Sequence, residues 1–281
     1  MSDFTEVAER VWVTRHPWCD VSITAIGSDR GLLVVDTHGS SEAARDLIAG
    51  LRRLGAGEVH AIVNTHAHFD HWFGNHAFRQ AYGPVPIHAH EDAVAEARAA
   101  DQAAVQADAE GDPAMAQAAA TPLVMADHTF SSVHHLDLGD RYVELVHPGR
   151  GHTSGDLVVR IPDVDVLVAG DLVEESAPPA YGMDSYPLEW PTTLDLVLGL
   201  MTTATTVVPG HGAVVDREFV EDQRSAIGVV AETIRDLASR RVPLEEALRT
   251  GEWPFPEASL QHAVARGYAH LPQVRRQLPL V

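Results

Sequence analysis

The 281-residue sequence predicts an α/β fold with a two-sheet core between flanking helices, followed by a helical tail. Short β-branched and aromatic runs alternate with helical patterns over most of the chain, which favours packed sheets with helices outside them. Towards the C-terminus the pattern becomes helical, with Ile227, Val230 and Ile234 at helical spacing. We therefore expect a β-rich domain over residues 1–216 and a helical C-terminal extension over residues 217–281 that packs on it.

The individual elements follow from local signals along the chain. Ser40 or Ser41 can cap a helix that runs to about Leu54, where Gly55 ends it. The segment 91–120 is rich in alanine and acidic residues and predicts a helical excursion of two helices. The predicted strands are Val11–Val13, Val21–Ile26, Leu32–Val35, Val59–Val63, Val133–Leu138, Tyr142–Val146, Leu157–Ile161, Val166–Val168 and Thr206–Val208.

The composition disfavours several classes of protein. The 20 Lys and Arg residues face 40 Asp and Glu residues, and the resulting net charge of −20 disfavours nucleic acid or an anionic membrane as partner. A single cysteine, Cys19, excludes an intramolecular disulfide and a four-cysteine zinc cluster. No apolar run approaches the roughly 20 residues of a membrane helix, and the first residues lack a signal-peptide pattern. We expect a cytoplasmic protein that acts on a small-molecule substrate.

The strongest chemical signal is a histidine-rich segment directly after the predicted strand Val59–Val63. In an extended segment side chains two apart point the same way, so His66 and His68 can bind one ion. Asp70 and His71 can present an oxygen and a nitrogen to a second ion once the chain has turned. Histidine nitrogen and carboxylate oxygen are the ligands expected of zinc, and also of iron or manganese.

Three further motifs carry potential metal ligands. His152 lies in a glycine-rich turn before a strand, Asp171 follows the apolar run Val166–Val168, and His211 follows another apolar run within a Pro-Gly-His-Gly segment. Together with the first motif they supply five histidines and two aspartates. This set is large enough for two metal ions that share one carboxylate.

This ordered set of four motifs resembles the metallo-β-lactamase superfamily of binuclear metallohydrolases. The resemblance implies a four-layer α/β/β/α sandwich of the metallo-β-lactamase type, with the site between the sheets at one edge. It also implies the ligand sets: His66, His68 and His152 on the first metal, Asp70, His71 and His211 on the second, and Asp171 as a bridge. A bridging aspartate resembles glyoxalase II and related thioester or lactone hydrolases, whereas true β-lactamases generally lack it.

The function implied by this resemblance is that of a hydrolase with two Zn²⁺ per chain, or with iron or manganese in their place. We expect it to cleave a thioester, lactone, ester or amide such as a β-lactam through a metal-bridging hydroxide, because paired cations activate water and polarise a carbonyl. Asp70 is also the candidate catalytic residue, since it could orient the hydroxide or relay a proton. The alternative is a mononuclear iron persulfide dioxygenase of the same fold.

Other residues near these motifs have a functional and a structural interpretation. By the same resemblance Asp36, at the end of a predicted strand, orients a ligand histidine, or else it only forms a turn. Tyr181 and Tyr186 follow Asp171 and either assist the substrate carbonyl or pack in the loop. If Tyr181 and Trp190 are exposed, as we expect of apolar loop residues, they favour a homodimer.

Overall fold

The computed structural model describes residues 3–99 and 112–271. The middle of the predicted excursion and the last ten residues of the predicted extension, 272–281, lie outside this part of the chain. Within it, strands and helices alternate up to His211, and only helices follow. No helix in these two ranges has both the length and the apolar character needed to cross a membrane.

The strands of the described residues form one hydrogen-bonded sheet. They are β1 (Thr5–Ala8), β2 (Val11–His16), β3 (Val21–Ser28), β4 (Gly31–Val35), β5 (Val59–Val63), β6 (Ile87–His90), β7 (His128–Phe130), β8 (Val133–Asp137), β9 (Tyr142–Val146), β10 (Val158–Ile161), β11 (Val166–Glu174) and β12 (Thr206–His211). Their order is β7-β6-β5-β4-β3-β12-β11-β10-β9-β8, and β1 and β2 continue from β3.

This sheet consists of two halves that pack against each other. In the described part of the chain, β3 of the first half and β12 of the second are joined by one residue pair, Val21 and His211. Val35 of β4, Leu145 of β9 and Val168 of β11 belong to the same buried apolar cluster, so the two halves share a core. They are the two inner layers of the predicted sandwich.

Helices cover both outer faces of the half-sheets. They are α1 (Ser41–Leu54), α2 (Phe69–Trp72), α3 (Asn75–Tyr82), α4 (Glu91–Ala99), α5 (Pro113–Ala119), α6 (Trp190–Gly199), α7 (Arg217–Ser239), α8 (Leu244–Thr250) and α9 (Gln261–His270). Leu47 of α1 and Phe78 of α3 pack on the first half. Trp190, Ile227 and Val264, from α6, α7 and α9, pack on the second half. The α/β/β/α fold class is therefore confirmed, while the domain boundary at residue 216 stays a prediction.

The start and the end of helix α1 follow from its local sequence. The Oγ of Ser40 accepts a hydrogen bond from the backbone N–H of Ala43 at 3.1 Å, which satisfies one of the free donors of the first turn. Gly55 follows the helix with a φ of 70°, a left-handed conformation that glycine adopts without steric cost. The helix begins and ends where the sequence predicts.

Strand β11 is longer than predicted. A Gly-Asp pair after an apolar run is typical of a turn, so the sequence predicts a strand over Val166–Val168. In the structure the strand continues to Glu174, and all of its residues are buried between the other half-sheet and the outer helices. Gly170 has a φ of 55°, and a Cβ there would lie 2.9 Å from the side chain of Thr65. The glycine lets the strand pass close to the segment that holds His66.

Candidate metal centre

The seven predicted ligands come from segments that are far apart in sequence and meet at one edge of the sandwich. His66 and His68 follow β5, and Asp70 and His71 lie in α2. The other three lie in the loop before β10, in β11 and at the end of β12, and are His152, Asp171 and His211. The pairing of His211 with Val21 places this edge where the two half-sheets join.

The first group of ligands contains His66, His68, His152 and Asp171, whose potential ligand atoms all lie within 4.8 Å of one another. Nε2 of His152 is 2.7 Å from Nδ1 of His68 and 3.3 Å from Oδ2 of Asp171. Nε2 of His66 is buried and has no hydrogen-bond partner among the described residues. These atoms therefore converge on a common point, as ligands of one cation would.

The second group contains Asp70, His71 and His211, whose potential ligand atoms also lie within 4.8 Å of one another. Nε2 of His211 is 3.3 Å from Nε2 of His71 and 3.4 Å from Oδ2 of Asp70. Asp171 lies between the two groups: Oδ1 is 3.1 Å from His71, and Oδ2 is 3.2 Å from His211 and 3.3 Å from His152. Its carboxylate can therefore serve both groups.

Each of the five candidate ligand histidines uses its other ring nitrogen for a hydrogen bond to a residue outside the two groups. The partners are Thr65 Oγ1 for His66 (3.0 Å), Asp184 Oδ2 for His68 (2.9 Å), Asp36 Oδ2 for His71 (2.8 Å), the carbonyl of Ala180 for His152 (2.8 Å) and the carbonyl of Cys19 for His211 (2.6 Å). Carbonyl and carboxylate oxygens only accept, and the hydroxyl of Thr65 donates its own proton to Asp36, so each outer ring nitrogen donates. The inner nitrogens face the other residues of the cluster, where a cation would displace any proton that they carry. The chemistry of the donor set fits two metal ions.

Asp36 is hydrogen-bonded to a candidate ligand histidine, as the functional one of its two interpretations requires. Its carboxylate accepts from Nδ1 of His71 at 2.8 Å and from both the backbone N–H and the hydroxyl of Thr65, each at 2.8 Å. One carboxylate therefore fixes a ligand from α2 and the segment that leads to His66. Asp184 holds His68 in the same way, and sequence reasoning missed it because no local motif links the two residues.

Burial and neighbouring charges act strongly on this cluster. Burial lowers the pKa of His66 well below its usual value. Burial also acts against a charged His71, but the carboxylates of Asp171 and Asp70 outweigh it and raise the pKa of that ring well above its usual value. The histidines around Asp171, His211 first, offset its burial and hold its pKa well below the usual range. Asp171 is therefore ionised and available as a ligand.

A cleft of about 600 Å³ lies over the two groups. His68, Asp70 and Asp171 line it on the metal side, and Gln261 and His262 of α9 line it from the C-terminal extension. The cleft is large enough for a small-molecule substrate. The extension thus contributes directly to the walls of the site.

The two tyrosines of the loop after β11 have different positions. Tyr181 lines the cleft, and its buried hydroxyl has no hydrogen-bond partner within the described ranges. Tyr186 instead stacks on the ring of His270 and on the guanidinium of Arg150. Tyr181 is 5% exposed and Trp190 is 0% exposed, so the expectation that they are exposed is wrong. A homodimer stays a prediction without that support.

Comparisons with known proteins agree with this fold. The family model of the metallo-beta-lactamase superfamily matches residues 16–215. A type 2 metallo-beta-lactamase of Bacillus cereus is 28% identical over 194 residues, which cover 68% of this chain and 67% of the relative. One from Bacillus sp. (strain 170) is also 28% identical over 194 residues, 68% of this chain and 66% of the relative. The chain thus spans about two thirds of the length of these relatives.

Solved structures share the fold over most of the chain. A metallo-beta-lactamase from Pontibacter korlensis matches with a TM-score of 0.64 and 22% identity, over 81% of this chain and 99% of that one. A stereoselective inverting sec-alkylsulfatase from Pseudomonas sp. matches with a TM-score of 0.78 and 17% identity, over 95% of this chain and 50% of that one. The sandwich and its paired ligand groups define a hydrolase of the metallo-β-lactamase type. The chain belongs to the metallo-beta-lactamase superfamily.

Proposed function

We propose that the chain is a binuclear zinc hydrolase that cleaves a carbonyl-centred bond, in a thioester, lactone, ester or amide, of a small molecule. The observation that carries this proposal is the position of Asp171, whose carboxylate oxygens lie 3.1 to 3.3 Å from nitrogens of both ligand groups. A carboxylate in that position supports two metal ions that share one ligand. The nitrogen-rich donor set favours zinc.

Seven residues would hold the two ions: His66, His68 and His152 the first, Asp70, His71 and His211 the second, and Asp171 both. When bound, the ions would supply Lewis acidity, which lowers the pKa of a shared water and polarises the substrate carbonyl. The outer hydrogen bonds of the histidines fix the ring orientations with the inner nitrogens towards the cluster, where a bound cation would displace any proton that they carry.

Asp70 is the residue that we assign to proton transfer. It lines the cleft, is 8% exposed, and has its Oδ2 3.4 Å from Nε2 of His211 and 3.6 Å from Nε2 of His71. From this position its carboxylate can orient the attacking water and accept its proton. The same group can then return the proton to the leaving group.

The metal content of the chain tests the number and identity of the ions. Elemental mass spectrometry would be applied to protein purified without added metal or chelator. We expect about two zinc ions per chain, as in two-metal hydrolases. About one iron per chain would contradict the proposal and favour the mononuclear persulfide dioxygenase, which oxygen consumption with a persulfide would then test.

A substrate panel tests the reaction class. It would compare a thioester, an acyl lactone, a β-lactam and an alkyl sulfate, the last because an alkylsulfatase shares the fold over 95% of the chain. We expect turnover of at least one carbonyl substrate and none of the sulfate. Cleavage of the sulfate alone would contradict a carbonyl-centred reaction.

A further inference from the structure

Glu174, at the end of β11, is a buried carboxyl group of the cleft that the metal groups do not use. The residue lines the cleft together with Asp70 and Asp171, and it is 8% exposed. Its Oε2 is buried and accepts no hydrogen bond from any residue in the described ranges. A buried carboxyl oxygen that accepts no hydrogen bond is costly, so this carboxyl group, which lines a substrate cleft, has unused capacity for a hydrogen-bond donor.

The backbone around Glu174 is held rigidly by helix α7. Its N–H donates to Oε1 of Gln223 at 3.1 Å, and Nε2 of the same glutamine donates to the carbonyl of Leu172 at 3.0 Å. Glu174 also pairs with His211 across the β11–β12 ladder, which places it next to the second ligand group. A carboxyl group fixed on a strand in this way suits a binding role better than a mobile one would.

The charges of the cleft restrict what this carboxyl can bind. Three carboxyl groups, of Asp70, Asp171 and Glu174, line the cleft, and none of the described lining residues is an arginine or lysine. Metal ions held by the first two would leave Glu174 without a compensating cation. An ammonium or guanidinium group bound in the cleft would both donate a hydrogen bond to the carboxyl group of Glu174 and compensate its charge.

We propose that Glu174 selects the substrate by binding a cationic hydrogen-bond donor, such as an ammonium, on its acyl group. This inference rests on the proposed hydrolase function and adds the substrate class: acyl compounds with a positively charged acyl chain. A substrate with a carboxylate at the same place meets like-charge repulsion. Hydrolysis itself adds water across the acyl–sulfur or acyl–oxygen bond, giving a free acid and a thiol or alcohol.

Three thioesters of one thiol test this selection: 6-aminohexanoyl, heptanoyl and 6-carboxyhexanoyl. They carry an ammonium, a methyl group and a carboxylate at corresponding positions, and the released thiol is measured. For the zinc-loaded protein we expect kcat/KM to be about tenfold higher for the ammonium compound than for the neutral one, and lowest for the carboxylate. Equal kcat/KM values of the wild-type protein for the ammonium and neutral compounds would by themselves overturn the proposal.

The variant Glu174→Gln keeps the shape of the side chain and removes its charge. We expect the ratio of kcat/KM between the ammonium and neutral thioesters to fall to about one, because the variant can no longer form a charge-assisted hydrogen bond with the ammonium. Glu218→Gln, the same change at an exposed position of α7, is the matched control and should keep the tenfold ratio. If Glu174 only supports the end of β11, Glu174→Gln slows all three thioesters equally, which would also overturn the proposal.

Binding separates a failure of this inference from a failure of the proposed function. If no thioester is hydrolysed, the thioester reaction is wrong, but Glu174 can still be tested by calorimetric titration with 4-aminobutan-1-ol and pentan-1-ol. We expect the wild-type protein to bind the aminoalcohol about tenfold more tightly, and the preference to be absent in Glu174→Gln. Equal affinities of the wild type for the two alcohols would overturn the inference.

Discussion

At the scale of single residues, Asp70 would combine the two proposed roles, since it belongs to the second candidate ligand group and lines the cleft. Asp70→Ala removes a metal ligand and the proposed proton acceptor together. We expect a loss of at least about 100-fold in kcat/KM on the substrate that the panel identifies. Undiminished turnover, measured together with zinc content, would contradict the two-metal mechanism.

Asp184 does not belong to either candidate ligand group, but its carboxylate is hydrogen-bonded to Nε2 of His68 at 2.9 Å. Asp184→Asn weakens the group that fixes this ring, so we expect zinc affinity to fall about 10- to 100-fold. Competition with a chromogenic chelator measures it. Asp195→Asn, which breaks an ion pair with Arg224 on the surface, is the control and should leave zinc affinity at the wild-type value. A similar affinity in both variants would show that Asp184 does not position His68.

The residues of the site differ in how well sequence could predict them. His66, His68, Asp70 and His71 stand within six positions, so their chemistry is visible locally. Asp184 and Glu174 carry no such signal, because their importance comes from contacts with His68 and from an unpartnered oxygen in the folded cleft. Long-range contacts of this kind leave no periodicity or spacing that a single sequence could reveal.

At the scale of elements, the N-terminal cap of α1 gives a clean test of local structure. Ser40→Ala leaves the N–H of Ala43 without its side-chain acceptor, and we expect a loss of about 1 kcal/mol in the free energy of unfolding. Urea unfolding followed by circular dichroism measures it. Ser225→Ala is the control: it also removes a serine hydroxyl, but from an exposed position inside α7, and it should cause no loss in the free energy of unfolding. Equal stability of both variants would mean that the cap contributes nothing.

Element prediction succeeded where pattern and boundary agreed and failed where tertiary packing decided. The strand over Tyr142–Val146 matches the sequence prediction residue for residue. The helix Ser41–Leu54 is capped by Ser40, one of the two predicted caps, and ends at the predicted Leu54. The short strands β1 and β7 were not predicted, because three or four residues give too little alternation to recognise. The extension of β11 beyond Val168 depends on burial in the sandwich, which overrides the turn signal of its Gly-Asp pair.

At the scale of the whole molecule, the two half-sheets are joined at opposite ends of β3. At one end Val21 pairs with His211 beside the metal groups. At the other end Arg141, whose side chain is 1% exposed, donates to the carbonyls of Glu9 and Gly27 and to the carboxylate of Asp163. A cation from the second half thus satisfies backbone acceptors of the first. The sequence shows only an arginine after a hairpin turn.

Because Arg141 lies at the end of the sandwich away from the cleft, its loss should affect stability far more than metal binding. Arg141→Met leaves several buried oxygens without a donor, and we expect the free energy of unfolding to fall by about 3 kcal/mol. Arg160→Met is the matched control, because within residues 3–99 and 112–271 the ion-pair partner of Arg160 is Glu144 of the same half, and this pair is partly exposed. Its loss should cost less than about 1 kcal/mol. Urea unfolding of both variants, with zinc content measured on the folded protein, decides the point. Equal losses of unfolding free energy in the two variants would show that Arg141 does not join the halves. A larger loss in Arg141→Met alone, with full zinc content, would show that one end of the sandwich can be destabilised while the metal centre at the other end stays intact.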